Sequence, residues 1–249
     1  MATESGTKLH FLRFEFKYVL DAALRTEVEA ELQHFVELDP YVAGQPDHLY
    51  FVRSLYFDDQ ALSAFHAKVD GMLTRSKFRV RTYGRTIDDP SPWFLEQKGR
   101  HNDLVVKHRA PVLGAFDRHA KGYALSRMLC QHVPPGAVRD QFEFDLYRKQ
   151  IEPIVLVDYL RRPYVSKFDP DFRLTLDSQL SAAQADTLFP GSAARHRQLL
   201  RGQCVMEVKF RRHVPAWFHR ILQAYELRRQ SISKICTATQ ALGLQLDPT

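Results

Sequence analysis

LHFLRFEFKYVL, residues 9–20, decides the fold. Leu12, Phe14, Phe16 and Tyr18 alternate with Arg13, Glu15 and Lys17. A period of two marks a β-strand, because successive side chains leave opposite faces. One face is apolar and the other fully charged. The reading of the whole chain turns on whether that charged face looks at water or at something else.

The pattern recurs. LTRSKFRVRTYG (residues 73–84) puts Arg75, Lys77, Arg79 and Arg81 on one face, and PWFLEQKGR (92–100) does the same with Glu96, Lys98 and Arg100. LVVKHRAPV (104–112) aligns Lys107 with Arg109. In FRLTLDSQL (172–180), Arg173, Thr175 and Asp177 oppose Phe172, Leu174 and Leu176. In QCVMEVKFRR (203–212), Glu207, Lys209 and Arg211 oppose Met206, Val208 and Phe210. PIVLVDYLRRPYVS (153–166) is less regular, with Asp158 and Arg162 on the same side. Any one such strand is explained by a sheet with one solvated face. Taken together they are not, because the residues are Arg-rich and mainly basic. Like charges side by side on an open sheet repel, and a bound polyanion removes that repulsion.

Closure of the sheet is the geometry that follows. About eight strands can curl into a barrel with a lumen wide enough for one small ligand. The expected fold is α+β: an eight-stranded antiparallel β tunnel with helices packed outside, forming one domain over residues 1–249. Arg and Lys would line the lumen, where guanidinium groups bind phosphate oxygens bidentately. The sparse carboxylates would hold a divalent metal, since hard cations take oxygen ligands.

Elsewhere the chain reads as connecting structure. Residues 21–38 predict an amphipathic helix capped by Asp21, residues 60–71 a short helix, and 115–150 a largely helical stretch. Residues 181–203 predict a loop, and helices over 217–229 and 232–244 close the chain. The formal charge of +6 leans toward an anionic partner. Cys130, Cys204 and Cys236 are an odd, scattered set, which predicts no disulfide framework and a reducing, cytoplasmic setting. MATESGTKLH carries no signal-peptide core, and no apolar run is long enough to predict a membrane segment. P-loop, dinucleotide, HExxH and GxSxG motifs are absent from the sequence.

Nine segments in order resemble the catalytic domain of the vacuolar transporter chaperone (VTC) polyphosphate polymerases, within the triphosphate tunnel metalloenzymes. They are RFEFKY (13–18), SLYFDD (54–59), RVRTYG (79–84), FLEQKGR (94–100), VKHRA (106–110), RRPYVS (161–166), FRLTLD (172–177), MEVKF (206–210) and SISK (231–234). The resemblance implies transfer of the γ-phosphate of ATP onto inorganic polyphosphate, with Mn²⁺ or Mg²⁺. It assigns phosphate contacts to Lys17, Arg79, Arg81, Lys98, Lys107, Arg173 and Arg162, the last with Arg161 as its immediate alternative. Arg13 and Lys209 on the same charged faces join this set. Glu207 matches the metal-binding glutamate, and Glu15 and Glu96 are further candidate ligands. Lys234 matches a lysine close to the reacting phosphate, so Lys234, Arg79 and Arg81 are the expected catalytic residues.

Related CYTH proteins open on Glu-x-Glu-x-Lys, and Arg13 replaces the first glutamate here. That favours the polymerase branch and removes one metal ligand. The residues also leave open a triphosphatase or nucleoside triphosphatase on the same tunnel, and a polyanion binder without turnover. Nucleic acid is not an expected partner, since no aromatic stacking platform stands out on the charged faces. An accessory subunit is compatible with the sequence but not called for by it.

Overall fold

The structure, a computed structural model, describes residues 14–101 and 104–245. Arg13 lies outside the described residues. Ten strands form: β1 (Phe14–Asp21), β2 (Val36–Leu38), β3 (Tyr50–Asp58), β4 (Thr74–Thr82), β5 (Phe94–His101), β6 (Leu104–Pro111), β7 (Glu152–Ser166), β8 (Arg173–Gln184), β9 (Arg197–Gln198) and β10 (Gln203–Phe210). Six α-helices accompany them: α1 (Ala22–Leu32), α2 (Ser63–Val69), α3 (Gly122–His132), α4 (Ala137–Lys149), α5 (Ala216–Ala224) and α6 (Lys234–Leu242).

One antiparallel sheet runs β1-β10-β8-β7-β3-β4-β5-β6, with β2 attached to β7 and β9 to β8. The eight strands of this path are the eight expected. They curl into a tunnel, bringing β1 and β6 near each other, but no hydrogen-bonded ladder joins that seam among the described residues. Side chains reach across instead: Lys98 on β5 lies 3.4 Å from Glu15 on β1.

The apolar faces point outward, each under its own helices. Tyr18, Leu20, Leu174, Leu176, Met206 and Val208 pack against Val28 and Leu32 of α1 and Trp217, Phe218 and Ile221 of α5. Leu55, Phe57, Phe78, Val80 and Leu95 pack against Leu125 and Leu129 of α3 and Phe142 and Leu146 of α4. Full burial of such a side chain contributes about 1.5–3 kcal/mol. Asp21 caps α1 as expected, its Oδ1 accepting from the Leu24 N–H at 2.9 Å.

A third cluster has a different position. Ile235, Cys236 and Ala238 of α6 pack on Val52, Tyr56, Val157, Tyr159, Leu180 and Val205. On β3, Val52 and Tyr56 alternate with the outward Leu55 and Phe57, so α6 lies on the concave side. The helix thus fills part of the tunnel and delivers its first residue, Lys234, to the lumen.

Two local expectations are corrected. The first helix stops at Leu32, and Val36–Leu38 pairs with β7 instead. Phe35 turns away to stack on Trp217 at 4.7 Å, which ends the helical face. Residues 181–203 are not all loop, because β8 continues to Gln184 and β9 pairs with Ser181 and Ala182. Gln179 adopts φ 52°. This left-handed residue shifts the alternation of β8, so Asp177 and Leu180 both face the concave side.

Among the described residues, no helix is long and apolar enough to cross a membrane. All three cysteines are free.

Candidate active site

The lumen is a cavity of about 1270 Å³, lined by residues of β1, β3–β8 and β10 and by the segment leading into α6. Strand alternation puts the charged residues there, and cross-strand pairing sorts them into two clusters.

The first cluster surrounds Glu96. Register places Arg79 opposite Glu96, and Glu96 opposite Arg109. The fully buried carboxylate takes Arg79 through Nε at 2.7 Å and Nη2 at 2.6 Å, both on Oε2. Arg81 Nη1 stands 3.8 Å from the same oxygen. Lys107 Nζ lies 2.8 Å and Arg109 Nε 3.4 Å from Oε1. Hydroxyls fix the arginines from behind: Arg79 donates to Tyr56 Oη at 2.9 Å, and Arg81 donates to Ser54 Oγ at 3.0 Å and Tyr159 Oη at 3.1 Å. Burial alone would raise the Glu96 pKa, but Arg79, Arg81 and Lys107 hold it well below the usual carboxylate range.

The second cluster joins β1, β7, β8, β10 and α6. Asp177, fully buried, accepts from Arg161 Nε at 2.6 Å and Nη2 at 2.7 Å. Lys234 Nζ lies 2.6 Å from Asp177 Oδ2, and 4.9 Å from the centroid of the Tyr159 ring. Glu207 pairs with Lys209 at 2.6 Å. Glu15 pairs with Lys17 at 2.8 Å, and Lys17 also donates to the Ile232 carbonyl at 3.2 Å. The two serines before Lys234 accept from lysines rather than capping α6: Ser233 from Lys77 at 3.0 Å and Ser231 from Lys68 at 2.7 Å.

Lys17, Arg79, Arg81, Lys98, Lys107, Arg173, Lys209, Lys234, Glu15 and Glu207 all line this cavity. Glu96 sits behind its cations. Arg162 does not reach the lumen. It donates to Glu29 of α1 at 3.0 Å and to the Asp47 carbonyl. Arg161 takes the inward position on β7, with Tyr159. Asp158, expected beside Arg162, likewise leaves the lumen and binds Arg53 through two hydrogen bonds. Arg161, Tyr56, Tyr159 and Ser54 are site residues that the charged-face pattern did not single out. Asp177 was visible on its face, but its partners come from β7 and α6, which no local pattern connects.

The electrostatics make anion binding pH-dependent. Burial, then the nearby Arg79 and Arg81, push Lys107 down to about 7 against the pull of Glu96. Lys107 keeps 40% of its side chain exposed to the lumen. Burial pushes Lys77 down to about 8, aided by Lys98 and Lys17 and opposed by Tyr56 and Cys236. Burial would raise Tyr56, but Arg79, Lys77 and Arg81 bring it down to about 7. Titration of these three groups, centred near pH 7 to 8, makes the lumen progressively less positive as pH rises through that range. Tripolyphosphate affinity is expected to fall over this window, and at pH 8 binding is expected to take up protons, because an anion would restore the lysine charges. Calorimetry in two buffers of different ionisation enthalpy measures this uptake, and proton release would contradict it.

A divalent cation fits the sparse donors present. Among the described residues there is no cluster of three or more His, Cys, Asp or Glu. Glu207 and Glu15 nevertheless offer two carboxylates to one cavity from adjacent strands, where Lys17 pairs with Glu207 and Glu15 with Lys209 in register. Burial opposes ionisation of both, yet the surrounding lysines keep both charged. Thr175, opposite Glu207 on β8, has a buried hydroxyl without a hydrogen-bond partner. One or two carboxylates are what Mg²⁺-type sites use when substrate phosphates and water complete the shell.

Fold and site together define a triphosphate-tunnel architecture: an antiparallel tunnel with helices packed on its outer face, α6 on its concave side and paired cations within. The sequence profile of the VTC domain matches residues 12–243, and the chain belongs to the VTC domain family. No curated protein matches it. A Bacillus halodurans protein with a provisional adenylate cyclase assignment is similar in structure, at 13% identity and a TM-score of 0.53, over 90% of this chain and 94% of that one. The PH1819 protein of Pyrococcus horikoshii is also similar, at 13% identity and a TM-score of 0.46, over 90% and 96% of the two chains. The Mimivirus capping enzyme triphosphatase covers 87% of this chain with 89% of its own, at 7% identity and a TM-score of 0.36. The first of these likenesses speaks for the fold.

Proposed function

We propose that this protein is a metal-dependent phosphotransferase that transfers the γ-phosphate of ATP to inorganic polyphosphate inside the tunnel. The observation that carries this reading is the convergence of Lys17, Arg79, Arg81, Lys98, Lys107, Arg161 and Lys234 on one cavity that also holds Glu15 and Glu207. Membership of the VTC domain family supports it.

Phosphoryl transfer asks for positioning and charge neutralisation more than for covalent help from the protein. A terminal oxygen of the polyphosphate attacks Pγ, forming the new O–P bond while the bond from Pγ to the β,γ-bridging oxygen breaks and ADP leaves. The acceptor oxygen is already anionic, so no general base is needed. Arg79 and Arg81 hold the donor phosphates, their planes fixed by Glu96, Tyr56, Ser54 and Tyr159. Lys234 stabilises charge at the transferring phosphoryl group, held in place by Asp177. Glu207 and Glu15 would hold Mn²⁺ or Mg²⁺, which neutralises phosphate oxygens when bound.

Incubation with ATP and Mn²⁺, followed by gel separation, tests the proposal. Polyphosphate ladders sensitive to an exopolyphosphatase are expected. Stoichiometric free phosphate without chains would replace the polymerase reading with a hydrolase on the same tunnel.

A further inference from the structure

We propose that the tunnel mouth at Arg109 and Tyr50, backed by Phe94 and Tyr83, is a nucleobase platform that holds the purine of the donor nucleotide. This rests on the reading of the lumen as a nucleoside triphosphate site and adds the part that recognises the base.

Arg109 is immobilised as a flat surface. Its guanidinium carbon lies 3.4 Å from the centroid of the Phe94 ring. Its Nη2 donates to Tyr83 Oη at 3.0 Å, and its Nε is 3.4 Å from Glu96 Oε1. It still keeps 34% of its side chain exposed and lines the cavity. Guanidinium planes and aromatic rings are the surfaces on which proteins stack bases, and every base has a π-face to offer. Tyr50, also on the cavity wall, meets Tyr83 edge-on at 5.7 Å and Tyr41 edge-on at 5.2 Å. Tyr41 is 58% exposed, so the aromatic row continues out of the mouth.

Position gives the platform its meaning. Glu96 takes Arg109 and Lys107 on one oxygen and Arg79 and Arg81 on the other. The stacking surface and the Arg79–Arg81 clamp are therefore tied to the two oxygens of a single carboxylate, so a base laid on Arg109 leaves the phosphates beside the clamp. The opposite end of β4 differs in kind. Arg75 is six residues from Arg81, roughly 20 Å along the strand, and its neighbours in the cavity wall include Lys68, Lys77 and Ser231. A ligand made only of phosphate has no use for the aromatic end.

Binding of the β,γ-imido analogue of ATP and of tripolyphosphate is measured by calorimetry on wild type, Tyr50→Ala and Phe94→Leu. Both variants are expected to weaken the nucleotide analogue about 10-fold and to change tripolyphosphate affinity less than 2-fold, which also reports an intact tunnel. The fluorescence of 2-aminopurine riboside triphosphate is expected to be quenched on wild type and to recover on Tyr50→Ala. Equal weakening of both ligands, or unchanged binding of the nucleotide analogue and unchanged quenching, overturns the platform. Failure of tripolyphosphate to bind the wild type overturns the phosphate-tunnel reading itself, and the platform with it.

Discussion

Glu96→Gln lowers the melting temperature by roughly 10 °C, and tripolyphosphate restores more of it than it adds to the wild type. The carboxylate is fully buried and within 4 Å of four cations from the two flanking strands, β4 and β6. Glutamine keeps the shape and removes the charge, leaving Arg79, Arg81, Lys107 and Arg109 facing one another. Removing one member of a buried ionic cluster costs about 3–5 kcal/mol, and in a domain of this size each kcal/mol is worth about 2–4 °C. A polyanion in the lumen supplies the missing counter-charge, so its stabilisation of the variant exceeds its stabilisation of the wild type. The pH dependence has a definite sign. Because the folded-state pKa of Glu96 is depressed, its contribution is complete above the ordinary carboxylate range and is lost only as pH falls through the lower folded value. The gap between wild type and variant is thus full at neutral pH and closes only in strong acid. Scanning calorimetry with and without tripolyphosphate decides it; an unchanged melting temperature, or a smaller ligand-induced gain in the variant, would show that Glu96 does not organise the cations.

That organisation explains how a tunnel can be lined with arginine and still fold. Without a ligand the cations are neutralised by a few buried carboxylates on the same walls. With a ligand they are shared. On the proposed reading the carboxylates set the resting state of the polyanion site, and Glu96 does so with both oxygens already committed to cations. Glu15 and Glu207 are each committed to lysines, whose flexible ammonium groups give way to a metal more readily than a clamped guanidinium does.

How much of this was legible in the sequence depended on the strand. On β1, β4, β5, β6 and β10 the alternation is unbroken, so the inward residues follow from parity alone. On β7 both faces carry charge, and the Arg161–Arg162 doublet offers no parity of its own. The inward choice is made by partners far away in sequence: Asp177 for Arg161 and Glu29 for Arg162. On β8 the left-handed Gln179 resets the alternation after Asp177, which no hydrophobic pattern reveals. The aromatic mouth was illegible for a related reason. Arg109 and Phe94 meet across two strands, and cross-strand diagonals depend on register, which a single strand does not encode. Lys234 was identifiable only by resemblance; that it sits in the lumen follows from α6 packing on the concave side of the sheet.

Asp177→Asn lowers kcat about 10²- to 10³-fold, and the loss deepens as pH rises. Lys234 is buried, and burial favours its neutral form. Asp177, with Tyr159 and Glu207, overcomes that burial and the opposing charge of Arg161, raising the lysine pKa above its ordinary value. Asparagine keeps the contact and removes the charge. Burial and Arg161 then dominate, and the lysine pKa falls. A folded-state pKa that drops toward neutrality means that protonated Lys234 survives at low pH and disappears as pH rises. The variant should therefore recover part of its rate in mildly acidic buffer, where the wild type gains nothing from the change. Arg161 also loses both of its hydrogen bonds to a carboxylate, so the KM for ATP rises too, but by less than kcat falls, because Arg79 and Arg81 are anchored in the other cluster. A purely structural role for Asp177 would give a loss of active protein without a new pH dependence in kcat. Steady-state kinetics from pH 6 to 9 on folded variant separates the two, and a flat ratio of wild-type to variant kcat across that range would remove Lys234 from the reacting phosphate.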